Sequence, residues 1–241
     1  MIALFEKLYK KSKQELFQDL HHKMVTKEKA FVITANPEAF MHSLHEPKLK
    51  EALLDKDTII TPDGEGIVKA ARMLGFSLWG KIAGVDTVEE LLQDAHEEQL
   101  SLYIYGSKQE VLDALYEKLK VKYPNLRIVG LKNGYTNQEE DVFEDMLEKQ
   151  PDVILVALGV PKQELVIYKH FHKFKKGIFV GVGGSLDVLS GTKKRAPKIW
   201  ITCKLEWLYR LLKEPKRIKR FYNSHVKFIF YIKKLVKENK R

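Results

Sequence analysis

The chain has 241 residues and a mass of 28.0 kDa, enough for one large domain with a small appendage. Its 44% hydrophobic and 31% charged residues exclude a disordered or fibrous chain. The formal charge of +10 is unevenly placed: residues 193–241 hold 17 basic and 3 acidic side chains, whereas residues 1–192 hold 25 and 29. The one cysteine, Cys203, excludes an internal disulfide framework and reads as a buried apolar residue in a reducing compartment. The opening MIALFEKLYKK scatters charge where a signal peptide needs an apolar core, and no window has the ~18 apolar residues of a membrane span. The expectation is a cytoplasmic protein whose basic tail meets nucleic acid or an anionic membrane surface.

In chain order, short β-branched or aromatic runs at 31–35, 58–61, 102–105, 127–130, 153–158 and 178–182 predict six strands. Helical spacing fills the intervals at 66–74, 88–98, 109–122, 139–150 and 163–174. This alternation predicts an α/β fold: a Rossmann-like, mostly parallel sheet with helices on both faces, spanning 1–192. The remainder, 193–241, reads as a basic helical appendage. It opens with a basic loop closed by Pro197 and continues as a helix over 205–212. Pro215 suits the first turn of a following helix. The last stretch, from 223, places Val226, Ile229 and Phe230 near one face, with Lys233, Lys234 and Lys237 further along.

Ligands of open parallel sheets bind beyond the carboxyl ends of the strands, and here those junctions are polar and glycine-rich. Thr34 and Asn36 follow the first run and offer neutral hydrogen bonds to sugar hydroxyls, or a turn. Asp63, between Pro62 and Gly64, is a candidate general base on a hydroxyl nucleophile, or a helix cap. Tyr105, Gly106 and Ser107 end the third run, where Ser107 can cap the next helix and its N–H groups can meet a diphosphate. Gln163 and Glu164 read as a cap and a first-turn charge. Gly183 and Gly184 resemble half of a phosphate loop but match neither the dinucleotide nor the Walker pattern, and Asp187 suits a ribose, a uracil or a helix cap. No metal site is predicted: the pairs His21/His22 and His42/His45 lack partners at ligand spacing, and Asp55-Lys-Asp57 enters a strand instead of leaving one.

Together these junctions resemble the WecG/TagA/CpsF glycosyltransferases. The matching text is Thr34-Ala-Asn36-Pro37-Glu, Pro62-Asp63-Gly64-x-Gly66, Ala83-Gly84-Val-Asp86, Leu158-Gly159-x-Pro161-Lys-Gln163-Glu164, Gly181-Val-Gly183-Gly184-x-x-Asp187 and Lys194-Arg195-Ala-Pro197, ending in the segment from Leu205 to Arg220. The text departs at Lys81-Ile82, where relatives often carry arginine, and at 202–204, where a glycine is common. The resemblance implies an inverting, metal-independent enzyme without cofactors that moves an N-acetylhexosamine from a UDP-sugar to a polyprenyl-diphosphate-linked sugar. The teichoic-acid branch, with N-acetylmannosamine as donor sugar, is the nearest in motif content; another hexose or a uronic acid is the alternative. It also implies Asp63 as the base, substrate contacts at Thr34, Asn36 and Gln163, and appendage arginines at Arg210, Arg217 and Arg220 that meet the leaving diphosphate. The expected location is the inner face of the cell membrane, held peripherally, with self-association left open. A nucleic-acid-binding protein is the rival of a different class, but it leaves the decorated strand ends unused, and the tail interleaves charge with apolar residues as an interfacial helix does. A dinucleotide-dependent oxidoreductase lacks its fingerprint.

Overall fold

The computed structural model describes residues 1–135, 138–213 and 218–238. Its strands are β1 (Lys29–Ala35), β2 (Thr58–Pro62), β3 (Ser101–Gly106), β4 (Arg127–Lys132), β5 (Val153–Ala157) and β6 (Gly177–Gly181). They form one sheet, every pairing parallel, in the order β2-β1-β6-β5-β3-β4. The α/β architecture expected from the alternating segments is therefore present. Because helices cover both faces, the inner strands are unbroken apolar runs, Val-Ile-Leu-Val-Ala in β5 being the purest.

The body helices are α1 (Ile2–Glu6), α2 (Lys13–Val25), α3 (Pro37–His42), α4 (Pro47–Leu54), α5 (Glu65–Met73), α6 (Gly84–Glu97), α7 (Gln109–Lys122), α8 (Glu139–Lys149), α9 (Lys162–Phe171) and α10 (Ser185–Leu189). Alternate strand residues sort them into two layers. Phe31, Ile33, Tyr103, Ile154 and Phe179 face α1, α3, α4, α5, α8 and α9. Val32, Leu102, Ile104, Leu155 and Val180 face α2, α6, α7 and α10. After β1 and β5 the chain thus turns to one face, and after β6 and β3 to the other. Turns that diverge in this way mark the carboxyl edge as the place where an open α/β sheet forms its ligand crevice.

The basic segment forms α11 (Lys198–Thr202), α12 (Glu206–Lys213), α13 (Ile218–Phe221), a π-helical turn (Tyr222–Val226) and α14 (Lys227–Glu238). Its last helix returns to the body, burying Phe228 and Ile232 in the first layer. The Phe228 ring lies 6.4 Å from those of Phe5 and Phe40. Ile229 and Phe230, expected near one face of this helix, are 50% and 66% exposed and point away from the core that Phe228 and Ile232 enter. Cys203 is also corrected. It caps the five-residue α11, a helix with no buried residue, and is exposed.

Candidate active site

Register brings the first polar residues beyond three strands to one level. Ala35 pairs with Pro62, and the ladder runs one residue further, the Asp63 N–H donating to the Ala35 carbonyl at 2.9 Å. Asp63 and Asn36 therefore leave adjacent strands side by side, about 4.8 Å apart at the backbone. On the other side of β1, Ile33 pairs with Gly181, which carries Gly183 and Gly184 to the same level. Asp63 is half-buried and directly precedes Gly64, the N-cap of α5. Asn36 is the N-cap of α3: its side-chain oxygen accepts from the Ala39 N–H at 2.9 Å, and Pro37 occupies the first helical turn. Asn36 thus has its amide N–H2 to offer a ligand. Thr34 is half-buried one strand position below, and a Cβ on Gly84 would come within 3.0 Å of its methyl carbon, so α6 begins directly against it.

Gln163 and Glu164 occupy the next junction, and both are 2% exposed. The Gln163 Oε1 accepts from the N–H groups of Gly159 at 3.2 Å and Gly183 at 3.0 Å, joining the turns after β5 and β6. Its Nε2 donates to Glu164 Oε1 at 2.7 Å. Gly181 lies against this amide, where a Cβ would stand 2.7 Å from Nε2. Glu164 Oε2 has no hydrogen-bond partner among the described residues. Burial, reinforced by the nearby Glu38 carboxylate, pushes the Glu164 carboxyl up to about 7. Glu164 is therefore no solvent-exposed first-turn charge. Sequence carried no signal for this, since an acidic residue at a helix start is ordinarily exposed.

At the end of β3, Gly106 has φ 118° and passes so close to β5 that a Cβ would fall 2.4 Å from the Ala157 carbonyl oxygen. Only glycine meets both demands. Ser107 follows in the left-handed region and is not the helix cap expected of it, because α7 starts one residue later with Lys108 at the N-cap. The Tyr105 ring packs edge-on against Phe143 within the first layer, so its backbone is what borders the crevice. Asp187 lies in the first turn of α10, 3.8 Å from Lys193 Nζ.

Two motifs far apart in sequence meet as an ion pair, Arg195 Nη2 donating to Asp86 Oδ1 at 2.8 Å. The appendage is tied to the Asp63 junction from both sides. Lys81 pairs with Glu206 at 3.0 Å, and Lys204 with Glu65 at 3.5 Å. Arg217 lies outside the described residues, as do the side chains of Arg210 and Arg220, whose backbones fall in α12 and α13. Among the described residues one group has cation-ligand spacing, Glu139, Glu140 and His170, and there the Lys169 ammonium already pairs with both carboxylates.

Residues 4–241 match the Glycosyl transferase WecG/TagA/CpsF family. Among curated proteins, the chain is 39% identical over 191 residues to an N-acetylglucosaminyldiphosphoundecaprenol N-acetyl-beta-D-mannosaminyltransferase of Bacillus spizizenii, covering 79% of this chain and 74% of the relative. A protein of the same name from Bacillus subtilis is 37% identical over the same shares. One from Staphylococcus aureus is 35% identical over 213 residues, 88% of this chain and 82% of its own.

Proposed function

The chain belongs to the WecG/TagA/CpsF family of glycosyl transferases, and on that premise we propose that it moves N-acetylmannosamine from UDP-N-acetylmannosamine to N-acetylglucosamine on undecaprenyl diphosphate, a step in teichoic-acid or related surface-polymer synthesis. The observation that carries this reading is the set of relatives at 35–39% identity, all named for that transfer. The crevice supplies the chemistry. The acceptor hydroxyl attacks the anomeric carbon from the side opposite the nucleotide, Asp63 takes its proton, and the bond to UDP breaks with inversion. Thr34 and the Asn36 amide hold sugar hydroxyls. Charge on the departing diphosphate is met by the positive ends of α5, α7 and α9, the turns at Gly106–Ser107 and Gly183–Gly184, and the arginines Arg210, Arg217 and Arg220. Asp187 orients the nucleoside.

The appendage gives this enzyme its place. Trp207, Leu212, Ile218 and Tyr222 are exposed apolar side chains within a segment of 17 basic residues, a combination suited to lying on an anionic membrane. Among the described residues no helix is long and apolar enough to cross a membrane. The enzyme therefore rests peripherally on the inner membrane face, where a lipid-linked acceptor is within reach of Asp63.

The test is a donor panel with a short-chain polyprenyl-diphosphate-GlcNAc acceptor, using wild type and Asp63→Asn. Wild-type transfer from UDP-N-acetylmannosamine, lost in the variant, is expected. Preference for another UDP-hexose overturns the donor, and an active variant overturns the base.

A further inference from the structure

We propose that Glu164 is a positioning residue for the transfer: by accepting the Gln163 amide hydrogen it fixes the two glycine turns that border the donor diphosphate, a role that rests on the carboxyl edge being the donor site. The orientation of the Gln163 amide is dictated by its neighbours. Two backbone donors, at Gly159 and Gly183, can be met only by its oxygen, which forces the N–H2 the other way. On that side Glu164 Oε1 is the acceptor, 2.7 Å away and sealed from water. Without an acceptor there, a buried N–H2 loses its partner, and turning the amide over to find one sets nitrogen against two N–H donors. Glu164 therefore selects the one orientation in which Gln163 can join the turns after β5 and β6. The absence of a Cβ at Gly181 gives the amide its room. A protonated carboxyl still accepts through its carbonyl oxygen, so the relay needs an acceptor of this shape and not a negative charge. The burial of Glu164 beside Glu38 favours that neutral form.

Three variants of the full chain separate this role from general packing. Glu164→Leu keeps the volume and removes the acceptor; Glu164→Gln restores the acceptor without charge. Calorimetry with UDP as the probe should show about tenfold weaker binding in Glu164→Leu, which corresponds to ~1.4 kcal/mol. Hydrogen exchange at the Gly159 and Gly183 amides should quicken in that variant, the donor KM should rise more than kcat falls, and Glu164→Gln should recover most of each loss. A folded Glu164→Leu protein with wild-type UDP affinity overturns the proposal, and so does a Glu164→Gln variant as impaired as Glu164→Leu. Should Glu164→Leu not fold, Gln163→Met breaks the same relay from its other end, and unchanged UDP affinity there is equally fatal. Wild type that binds UDP but transfers a different sugar overturns the donor assignment alone, while wild type without UDP affinity overturns both.

Discussion

The two edges of the sheet each bury a carboxyl group, and they treat it in opposite ways. At the amino edge, Asp152 precedes β5 and has both oxygens fully engaged. Oδ2 accepts from the Ser101 N–H at 2.9 Å and the Ser101 hydroxyl at 2.6 Å, and Oδ1 pairs with Lys27 at 3.0 Å and Lys176 at 2.6 Å. These donors hold its carboxyl far below the usual range even against burial. At the carboxyl edge, Glu164 accepts one hydrogen bond from a neutral amide, and its other oxygen has no partner among the described residues. The buried Thr61 hydroxyl, two residues before Asp63, is likewise without one. One edge satisfies its charge to fasten the starts of four strands; the other keeps incompletely satisfied groups at the strand ends, as sites that must receive a ligand do.

The largest test of that contrast is to remove one acid from each edge. Asp63→Asn should lower turnover by roughly a thousandfold, the scale of a lost general base, with UDP affinity near that of wild type. Asp152→Ala should leave turnover per folded molecule unchanged and cost about 3 kcal/mol in denaturant unfolding, because it orphans a buried serine and two lysines. A stability loss for Asp63→Asn equal to that of Asp152→Ala would erase the distinction between the edges.

Much of this was legible beforehand because of how parallel sheets are buried. Strands covered on both faces read as apolar runs such as 153–157, and their common direction puts Asn36, Asp63 and Gly183 on one edge without further information. What depends on contacts between distant segments was not legible. Glu164 looks like a surface charge until α3 and the β5 and β6 turns close around it. The pairs Asp86–Arg195 and Lys81–Glu206 join residues more than a hundred positions apart. Cys203 is exposed because α11 is too short to bury a face.

The two buried acids also give stability opposite dependences on pH. Glu164 titrates at about 7 when folded, above the ordinary glutamate value, so the folded state holds its proton longer than the unfolded chain. Its contribution is complete below about pH 4.5 and is lost as pH rises through 7, a fall of about 3 kcal/mol. The Asp152 carboxyl is depressed on folding, so its contribution is present above about pH 4 and is lost on acidification. From these two groups, unfolding free energies measured from pH 3 to 8 should therefore peak near pH 4 to 5. Glu164→Gln should flatten the alkaline limb and leave the acid limb in place. An unchanged alkaline slope in that variant would show that Glu164 ionises normally.

The smallest effect concerns the cover over the crevice. The amino edge is sealed by the body itself, whereas the Asp63 junction is spanned by the appendage through Lys81–Glu206 and the more exposed Lys204–Glu65. A double-mutant cycle with Lys81→Ala and Glu206→Ala should return a coupling of about 1 kcal/mol, the scale of a partly shielded ion pair. The same cycle on Lys204 and Glu65 should return about half that or less. Phe228 and Ile232 keep α14 in the core, so couplings of this size are expected to bear on how α12, and not the whole appendage, is held at the junction. Coupling energies as large as the loss in Asp152→Ala would instead make the cover as permanent as the amino edge, and acceptor access would then have to come from another side of the crevice.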